Sequence, residues 1–197
     1  MSFWEEYTKL RITLKNSINL ARYEHTLSVV RCIKTLADIY ELDVQKATIA
    51  ALLHDCGREI KNDKSIAFAD ENCIKIDTVE RVLPILIHAK IGAYLARKKY
   101  SIVDKEVLSA IKYHTTGSKN MGKVAMALYI ADMLEENREF DGVKQLRDKI
   151  GKVSLEELMF ACLNSSIGYL LKTRLPIHKD SIKTYNRLAF LLLRSGS

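Results

Sequence analysis

The helical spacing of apolar residues, which continues along almost the entire chain, constrains the fold more than any other feature. Residues that interrupt helices are scarce, with 8 Gly and 2 Pro among 197 residues. No Asn-Gly or Asp-Gly pair lies between two alternating apolar and polar runs, as a β-hairpin would require. We therefore predict an all-α protein of about seven to nine helices. Breaks are expected near 43 and in the segments 56–63, 73–78, 99–103, 115–122, 151–153 and 173–177.

Two helix starts are marked by capping residues. Asp43 precedes the apolar run VQKATIAALL, and Ser154 is followed three residues later by Glu157, which is the capping-box pattern. A hydrophobic fraction of 48% is enough to bury one core in a chain of this length. Because no repeat or linker is visible, we predict a single domain over residues 1–197.

The charge and cysteine content limit the classes of partner. An excess of 31 Lys and Arg over 24 Asp and Glu gives a net charge of +7, which suits an anionic ligand. The basic residues are dispersed, so no nucleic-acid arm is expected. The 4 cysteines lack CxxC spacing and are expected to be reduced. The apolar runs are too short for a membrane span, and we predict a cytoplasmic protein with no membrane partner.

Side chains that bind metals lie at the ends of predicted buried helix faces, at His25, His54, His88, His114 and Asp132. Taken singly, each histidine is more often a hydrogen-bonded core residue. Taken together, the group is costly to bury, because an unpartnered carboxylate would be driven to protonate. A divalent cation would satisfy carboxylates and imidazoles at once, so the pattern favours a metal site.

The ligand types restrict the metal and its chemistry. Mixed imidazole and carboxylate ligands suit Fe, Mn, Co, Ni or Zn better than Mg or Ca. The lack of paired cysteines argues against a closed structural zinc site. An open site of this kind activates water and polarises a phosphoryl oxygen, so hydrolysis of a phosphate ester or anhydride is accessible.

The order of these residues carries a resemblance to a known family. It is based on the adjacent pair His54 and Asp55, set within the ordered histidines and Asp132, and on the segments RYEHTLSV, AALLHDCGRE, ILIHAKIGAYLA, AIKYHTTG, LYIADMLEENREFDGV and RLPIHKDSIKTYN. The chain resembles the YqeK-type branch of the HD superfamily of metal-dependent phosphohydrolases over roughly residues 20–187. The resemblance implies an HD-domain helical bundle with a core at about 20–140. A C-terminal helical extension at about 150–197 would complete the nucleotide pocket.

The resemblance also implies an activity and a metal. Members of this branch cleave diadenosine tetraphosphate symmetrically into two ADP molecules and hold iron, for which Mn, Co or Ni could substitute. Carried onto this chain, the core metal ligands are His25, His54, Asp55 and Asp132. We expect His88 and His114 to contact substrate phosphates as donors or proton shuttles, although they could instead hold a second ion. Asp55 is expected to orient or deprotonate the attacking water.

The remaining expected substrate contacts come from three parts of the chain. Arg22, Arg58 and Arg138 could each reach a phosphate through a fork of donors. Gly57 is expected to adopt a left-handed turn that brings the backbone of Asp55, Cys56 and Arg58 close to the ligand. The tail is expected to hold base, ribose and phosphate through Leu175, Pro176, Ile177, His178, Lys179 and Asp180.

Two other functions remain open from the sequence. The chain could be another HD phosphohydrolase that acts on nucleoside monophosphates, deoxynucleoside triphosphates, cyclic dinucleotides or guanosine polyphosphates. It could also be a non-catalytic nucleotide sensor or an RNA-associated module that has kept the fold. An exposed apolar helix face could support a homodimer.

Overall fold

The computed structural model of the protein describes residues 2–195, and every regular element in this range is helical. The all-α prediction is therefore confirmed. The described residues contain eleven α-helices, two more than the upper limit predicted, and two of them, Thr78–Val82 and Val143–Arg147, have only five residues each. Short 3₁₀ turns span Cys56–Glu59 and Pro84–Leu86. The α-helices are α1 (Phe3–Lys15), α2 (Leu20–Ile39), α3 (Val44–Leu53), α4 (Asn62–Glu71), α5 (Thr78–Val82), α6 (His88–Lys98), α7 (Lys105–Tyr113), α8 (Lys123–Leu134), α9 (Val143–Arg147), α10 (Leu155–Lys172) and α11 (Lys179–Ser195).

The predicted caps form as expected. The Asp43 carboxylate accepts a hydrogen bond from the Lys46 amide at 3.0 Å and begins α3. At the start of α10, the Ser154 hydroxyl accepts from the Glu157 amide while the Glu157 carboxylate accepts from the Ser154 amide. Each cap satisfies amides that would otherwise lack a partner in the first helical turn.

Helices α3 and α8 form the centre of the molecule. Both are apolar around nearly their whole circumference, and residues 47–53 and 124–131 are buried without interruption. Helix α2 packs on both of them, α7 also contacts both, and α10 covers α8. Ala50 and Ala127 are fully buried within these two central helices. The centre of the fold is therefore the place where α2, α3, α7 and α8 meet.

Gly57 is required for close packing and not for the left-handed conformation that was predicted. It does not adopt the left-handed conformation, which the described glycines show only at 117, 142 and 151. Instead, a Cβ at Gly57 would lie 2.1 Å from the backbone oxygen of His88 and 2.5 Å from the amide nitrogen of Gly92. The prediction of a left-handed turn was wrong. A glycine is required at position 57 because the backbone of α6 leaves no room for a side chain. This contact brings the turn after Asp55 against the helix that begins with His88.

The C-terminal helices are fastened to the loop that follows α7. The Ser181 hydroxyl donates a hydrogen bond to the Thr116 carbonyl at 2.9 Å, and Gly117 packs closely against Thr184. Helix α11 also packs along α10. No helix within residues 2–195 combines the length and apolar character needed to cross a membrane.

Candidate metal centre

Five helices bring their metal-binding side chains to one point in the core. His25 lies within α2, His54 caps the end of α3, His88 begins α6, His114 caps the end of α7, and Asp132 lies near the end of α8. Asp55 follows His54 directly and is 2% exposed. The Nε2 atom of His25 is 3.0 Å from Oδ1 of Asp132, and Nε2 of His88 is 3.1 Å from Oδ1 of Asp55. The predicted convergence is therefore present.

The four histidines of the centre share one tautomer. The Nδ1 atom of His54 lies 2.7 Å from the Ala51 carbonyl, that of His114 lies 2.7 Å from the Ile111 carbonyl, and that of His88 faces the Ile85 carbonyl. Because a carbonyl oxygen can only accept, each Nδ1 must carry the proton. His25 follows the same rule with the Glu135 carboxylate, at 3.2 Å. All four Nε2 atoms are therefore left to face the centre.

The surroundings of two of these Nε2 atoms indicate whether the site fits a metal ion. Nε2 of His25 and Nε2 of His54 are buried and have no hydrogen-bond partner. Both lie close to carboxylate oxygens, which also carry lone pairs, with His54 Nε2 3.6 Å from Asp55 and 4.0 Å from Asp132. Lone pairs that face each other in a buried site are unfavourable without a cation between them. His25, His54, Asp55 and Asp132 therefore fit a divalent metal ion.

The electrostatics keep both carboxylates ionised. Burial alone would raise the pKa of Asp55, but the imidazoles of His54, His88 and His114 outweigh burial and hold this pKa well below its usual value. The pKa of Asp132 is likewise lowered, because His25, His54, His114 and Arg138 outweigh the effect of burial. Burial lowers the pKa of His54. The site therefore presents two ionised carboxylates beside the imidazole rings.

His88 and His114 form a second pair beside Asp55. Their Nε2 atoms are 3.1 Å apart, and both Nδ1 atoms already donate to carbonyls. Burial, together with the charge of His88, lowers the pKa of His114 to about 4. A proton or a cation must therefore lie between the two Nε2 atoms. This pair, with Asp55, also brings three ligand atoms within 4.8 Å of one another.

The three predicted arginines surround the carboxylates. Arg22 donates to Oδ2 of Asp55 at 2.8 Å, and Arg58 donates from Nε to Oδ1 of the same carboxylate at 3.0 Å. Arg138 donates from Nη2 to Oδ1 of Asp132 at 2.7 Å. Each guanidinium retains further donors that could bind phosphate oxygens.

A cavity of about 570 Å³, which we call the aromatic cavity, opens beside the centre. His114, Asp132 and Arg138 form its inner wall. Ser165 and Ser166 add hydroxyls, and the Ser166 hydroxyl lies 3.0 Å from that of Tyr129. Apolar walls with a few polar groups are typical of a nucleoside pocket. The apolar lining residues are Leu86, Tyr129, Met133, Phe140, Tyr169 and Leu170.

Cys56 and three tail residues that were predicted to contact substrate do not line the aromatic cavity. Cys56 is buried and its thiol donates to the Gly92 carbonyl, so only its backbone could meet a ligand. Leu175 and Pro176 are exposed, Ile177 is half-buried, and none of the three lines the aromatic cavity. Leu175 does lie beside its rim, because its amide donates to the Leu170 carbonyl at 3.0 Å.

His178 is buried away from the aromatic cavity. Its Nε2 atom is 3.0 Å from Oδ2 of Asp77 and 4.0 Å from Oε1 of Glu80. The Asp180 amide donates to Nδ1 of His178, so this histidine has the opposite tautomer from the four in the centre. Lys179 pairs with Asp77 at 3.1 Å. His178, Lys179 and Asp180 thus fasten the start of α11 to α5, and their contact with substrate stays a prediction.

Glu135 was missed by the sequence interpretation. It is 2% exposed, it orients His25, and its second oxygen accepts from the Asn137 amide at 2.7 Å. Its position three residues after Asp132, on the same helical face, was the signal that could have identified it.

Comparison with known proteins gives a consistent family. The model of the HD domain matches residues 22–137. A protein of Halalkalibacterium halodurans named symmetrical bis(5'-nucleosyl)-tetraphosphatase is 35% identical over 175 residues, which cover 85% of this chain and 88% of that protein. A Bacillus subtilis protein of the same name is 30% identical, with 89% and 93% covered. A Clostridium acetobutylicum crystal structure, described as a predicted HD superfamily hydrolase involved in NAD metabolism, has a TM-score of 0.87 and 33% identity over 93% of this chain and 96% of that one. The chain therefore belongs to the HD-domain family, as its motifs predicted.

Proposed function

We propose that this protein is a metal-dependent hydrolase that cleaves diadenosine tetraphosphate and related dinucleoside polyphosphates symmetrically, releasing two ADP molecules. The observation that carries the proposal is the pair of buried, unpartnered Nε2 atoms of His25 and His54, which face two carboxylates at the edge of the aromatic cavity. The names of the relatives from Halalkalibacterium halodurans and Bacillus subtilis support the substrate.

The proposed cofactor is one iron ion held by His25, His54, Asp55 and Asp132. The ligand set suits iron, and Mn, Co or Ni would be substitutes with the same ligand preferences. His88 and His114 could hold a second ion together with Asp55. When bound, the ion would supply a Lewis acid that activates water and polarises a phosphoryl oxygen.

The protein's own groups would divide the remaining work. Asp55 would orient the attacking water and accept its proton. His88 and His114 would contact the phosphates, and the proton held between their Nε2 atoms could pass to the departing ADP. Arg22, Arg58 and Arg138 would stabilise the charge that develops on phosphoryl oxygens. Because Arg22 and Arg58 hold opposite oxygens of Asp55, they would also fix the orientation of this carboxylate.

One ADP moiety would occupy the aromatic cavity. Its nucleoside would contact the rings of Tyr129, Phe140 and Tyr169, and Ser165 and Ser166 would offer hydroxyls for ribose or base. Helix α10 contributes both serines and Tyr169, which supports a single domain in which the C-terminal helices complete the nucleotide pocket. The loop at Leu175, Pro176 and Ile177 would close over the rim. Cytoplasmic location and homodimer formation stay predictions from the sequence.

Product analysis tests this function directly. Iron-loaded protein would be incubated anaerobically with diadenosine tetraphosphate, and ADP, AMP and ATP would be separated by chromatography. We expect ADP as the sole nucleotide product. Formation of AMP and ATP would contradict symmetrical cleavage. An inactive protein with bound metal would instead favour another HD phosphohydrolase, to be tested with nucleoside mono- and triphosphates and guanosine polyphosphates.

A further inference from the structure

A second cavity borders the candidate metal centre; Arg22 and Arg58 line it, but no ligand has been assigned to the cavity itself. It measures about 240 Å³ and shares no lining residue with the aromatic cavity. The aromatic cavity borders Asp132, whereas the two arginines that hold Asp55 line this second cavity. We call it the basic cavity, and its polar lining consists of Asn19, Arg22, Arg58, Lys61 and Asn62.

The basic cavity is charged in one sense only. Three of its seven lining residues are cationic and none is acidic. Lys61 forms no ion pair with any residue between 2 and 195. Arg22 uses one terminal nitrogen and Arg58 uses only Nε to bind Asp55, so both have donors to spare. Three cations, of which Arg22 and Arg58 share the single Asp55 carboxylate and Lys61 has no acidic partner in that range, leave an excess of positive charge that is suited to phosphate.

The side chain of Asn19 has a defined orientation in this cavity. Its amide oxygen accepts a hydrogen bond from the Arg22 backbone at 2.8 Å, because Asn19 caps the start of α2. Its amide nitrogen must therefore point the other way and is left as a donor. The Asn19 nitrogen therefore adds a donor to those of Arg22, Arg58 and Lys61, and these donors match an anionic, oxygen-rich ligand.

This inference rests on the proposed function and deepens it. The substrate has two identical ADP halves joined at the central anhydride, and the aromatic cavity has walls suited to one nucleoside. The other half must leave the centre on a different side. We propose that the basic cavity binds the diphosphate of this second half, which departs as the leaving ADP.

The proposal gives the basic cavity a role in the reaction step. The water oxygen bonds to the β-phosphorus of the half in the aromatic cavity, and the water gives a proton to Asp55. The bond from that phosphorus to the bridging oxygen breaks, and the bridging oxygen leaves with the second ADP. Negative charge grows on this terminal phosphate, where Arg58 and Lys61 would stabilise it.

Charge reversal at Lys61 tests the proposal, with a control on the same helix. Lys61 is exposed at the start of α4, and Lys64 is exposed three residues later but does not line the cavity. We expect Lys61→Glu to lower kcat/KM for diadenosine tetraphosphate by about tenfold or more, the effect of losing one charged phosphate contact. Lys61→Gln should give a smaller loss. Lys64→Glu should leave kcat/KM close to the wild-type value.

Calorimetric titration with ADP distinguishes an effect of Lys61 on the leaving half of the substrate from an effect on the half in the aromatic cavity. ADP should bind more tightly in the aromatic cavity, which alone has walls suited to the nucleoside, so Lys61→Glu should change the dissociation constant of this tighter site by less than about twofold. Equal losses of kcat/KM in the Lys61 and Lys64 variants would overturn the proposal, as would a parallel loss of ADP affinity in Lys61→Glu. Wild-type protein that forms no ADP from diadenosine tetraphosphate would overturn the proposed function as well. Normal wild-type turnover with an unaffected Lys61 variant would overturn the basic cavity alone.

Discussion

At the scale of single residues, proton placement on the histidines organises the metal centre. His54, His88 and His114 each donate Nδ1–H to a backbone carbonyl three residues earlier, and among the four histidines of the centre only His25 donates Nδ1–H to a carboxylate. An imidazole whose Nδ1–H donates to a carboxylate is a stronger metal ligand than one whose Nδ1–H donates to a backbone carbonyl. Glu135 would therefore be a positioning residue that acts through His25 on the proposed metal ion.

Substitution of Glu135 tests this role. Glu135→Gln keeps the size of the side chain and an oxygen for His25, but it removes the negative charge. We expect iron affinity to fall by roughly tenfold while helix content is retained. Glu136→Gln is the matched control, because Glu136 is 60% exposed and pairs with Arg31 at the surface. Competition with a fluorescent chelator would measure both affinities, and equal values for the two variants would refute the role of Glu135.

At the scale of helices, the site depends on how the elements end and on how closely two of them approach. The ends of α3 and α7 are capped by His54 and His114, each of which satisfies a carbonyl of the last turn and faces the centre at the same time. The turn after α3 reaches α6 only because Gly57 meets Gly92 without side chains between them. This approach sets the distance between Asp55 and His88.

Two glycine-to-alanine substitutions separate close packing from helix propensity. Gly57→Ala would place a methyl group against the backbone of α6, so we expect a loss of about 2 kcal/mol or more in the free energy of unfolding. Gly168→Ala lies within α10, where an added Cβ meets nothing within 4 Å, and should stabilise by about 0.5–1 kcal/mol. Denaturant unfolding would measure both changes. A harmless Gly57→Ala would show that the contact with α6 is not restrictive.

Among the helices and turns, features set by local sequence could be predicted, whereas features set by contacts between distant segments could not. The long helices and the caps at Asp43 and Ser154 could be predicted, because periodicity and capping are local properties. The conformation of Gly57 was predicted wrongly, because its constraint comes from α6, more than thirty residues away in the sequence. The pairing of His178 with Asp77 and Glu80 joins segments about 100 residues apart and has no local signal either.

At the scale of the whole molecule, one core holds the candidate metal centre together with the buried cysteines Cys56 and Cys162, and the partly buried Cys32 packs against it. The convergence of the candidate metal ligands could be predicted because ionisable side chains at the ends of buried faces are rare without a shared partner. The basic cavity could not be predicted, since Asn19, Lys61 and Asn62 look like ordinary surface residues until the turn after Asp55 brings them together. Their spacing in the sequence does not indicate that these residues are neighbours in the folded chain.

The burial of the cysteines leads to a prediction of thiol reactivity. Burial raises the pKa of Cys32 to about 11 and that of Cys162 to about 12, and it also raises the pKa of Cys56. Cys73 is exposed. Titration with Ellman's reagent at neutral pH should therefore modify about one thiol per native chain quickly, and four after unfolding. Rapid reaction of three or four native thiols would contradict the described core.

The central claim is that metal held by His25, His54, Asp55 and Asp132 is required for symmetrical cleavage. The most direct measurement is an anaerobic titration of metal-free protein with ferrous iron, with bound iron and ADP release from diadenosine tetraphosphate measured in the same samples. ADP formation should rise with bound iron, reach its maximum near about one ion per chain, and disappear with a chelator. Asp55→Ala should bind little iron and form no ADP while retaining its helix content. Equal rates of ADP formation by metal-free and iron-loaded protein would contradict the account.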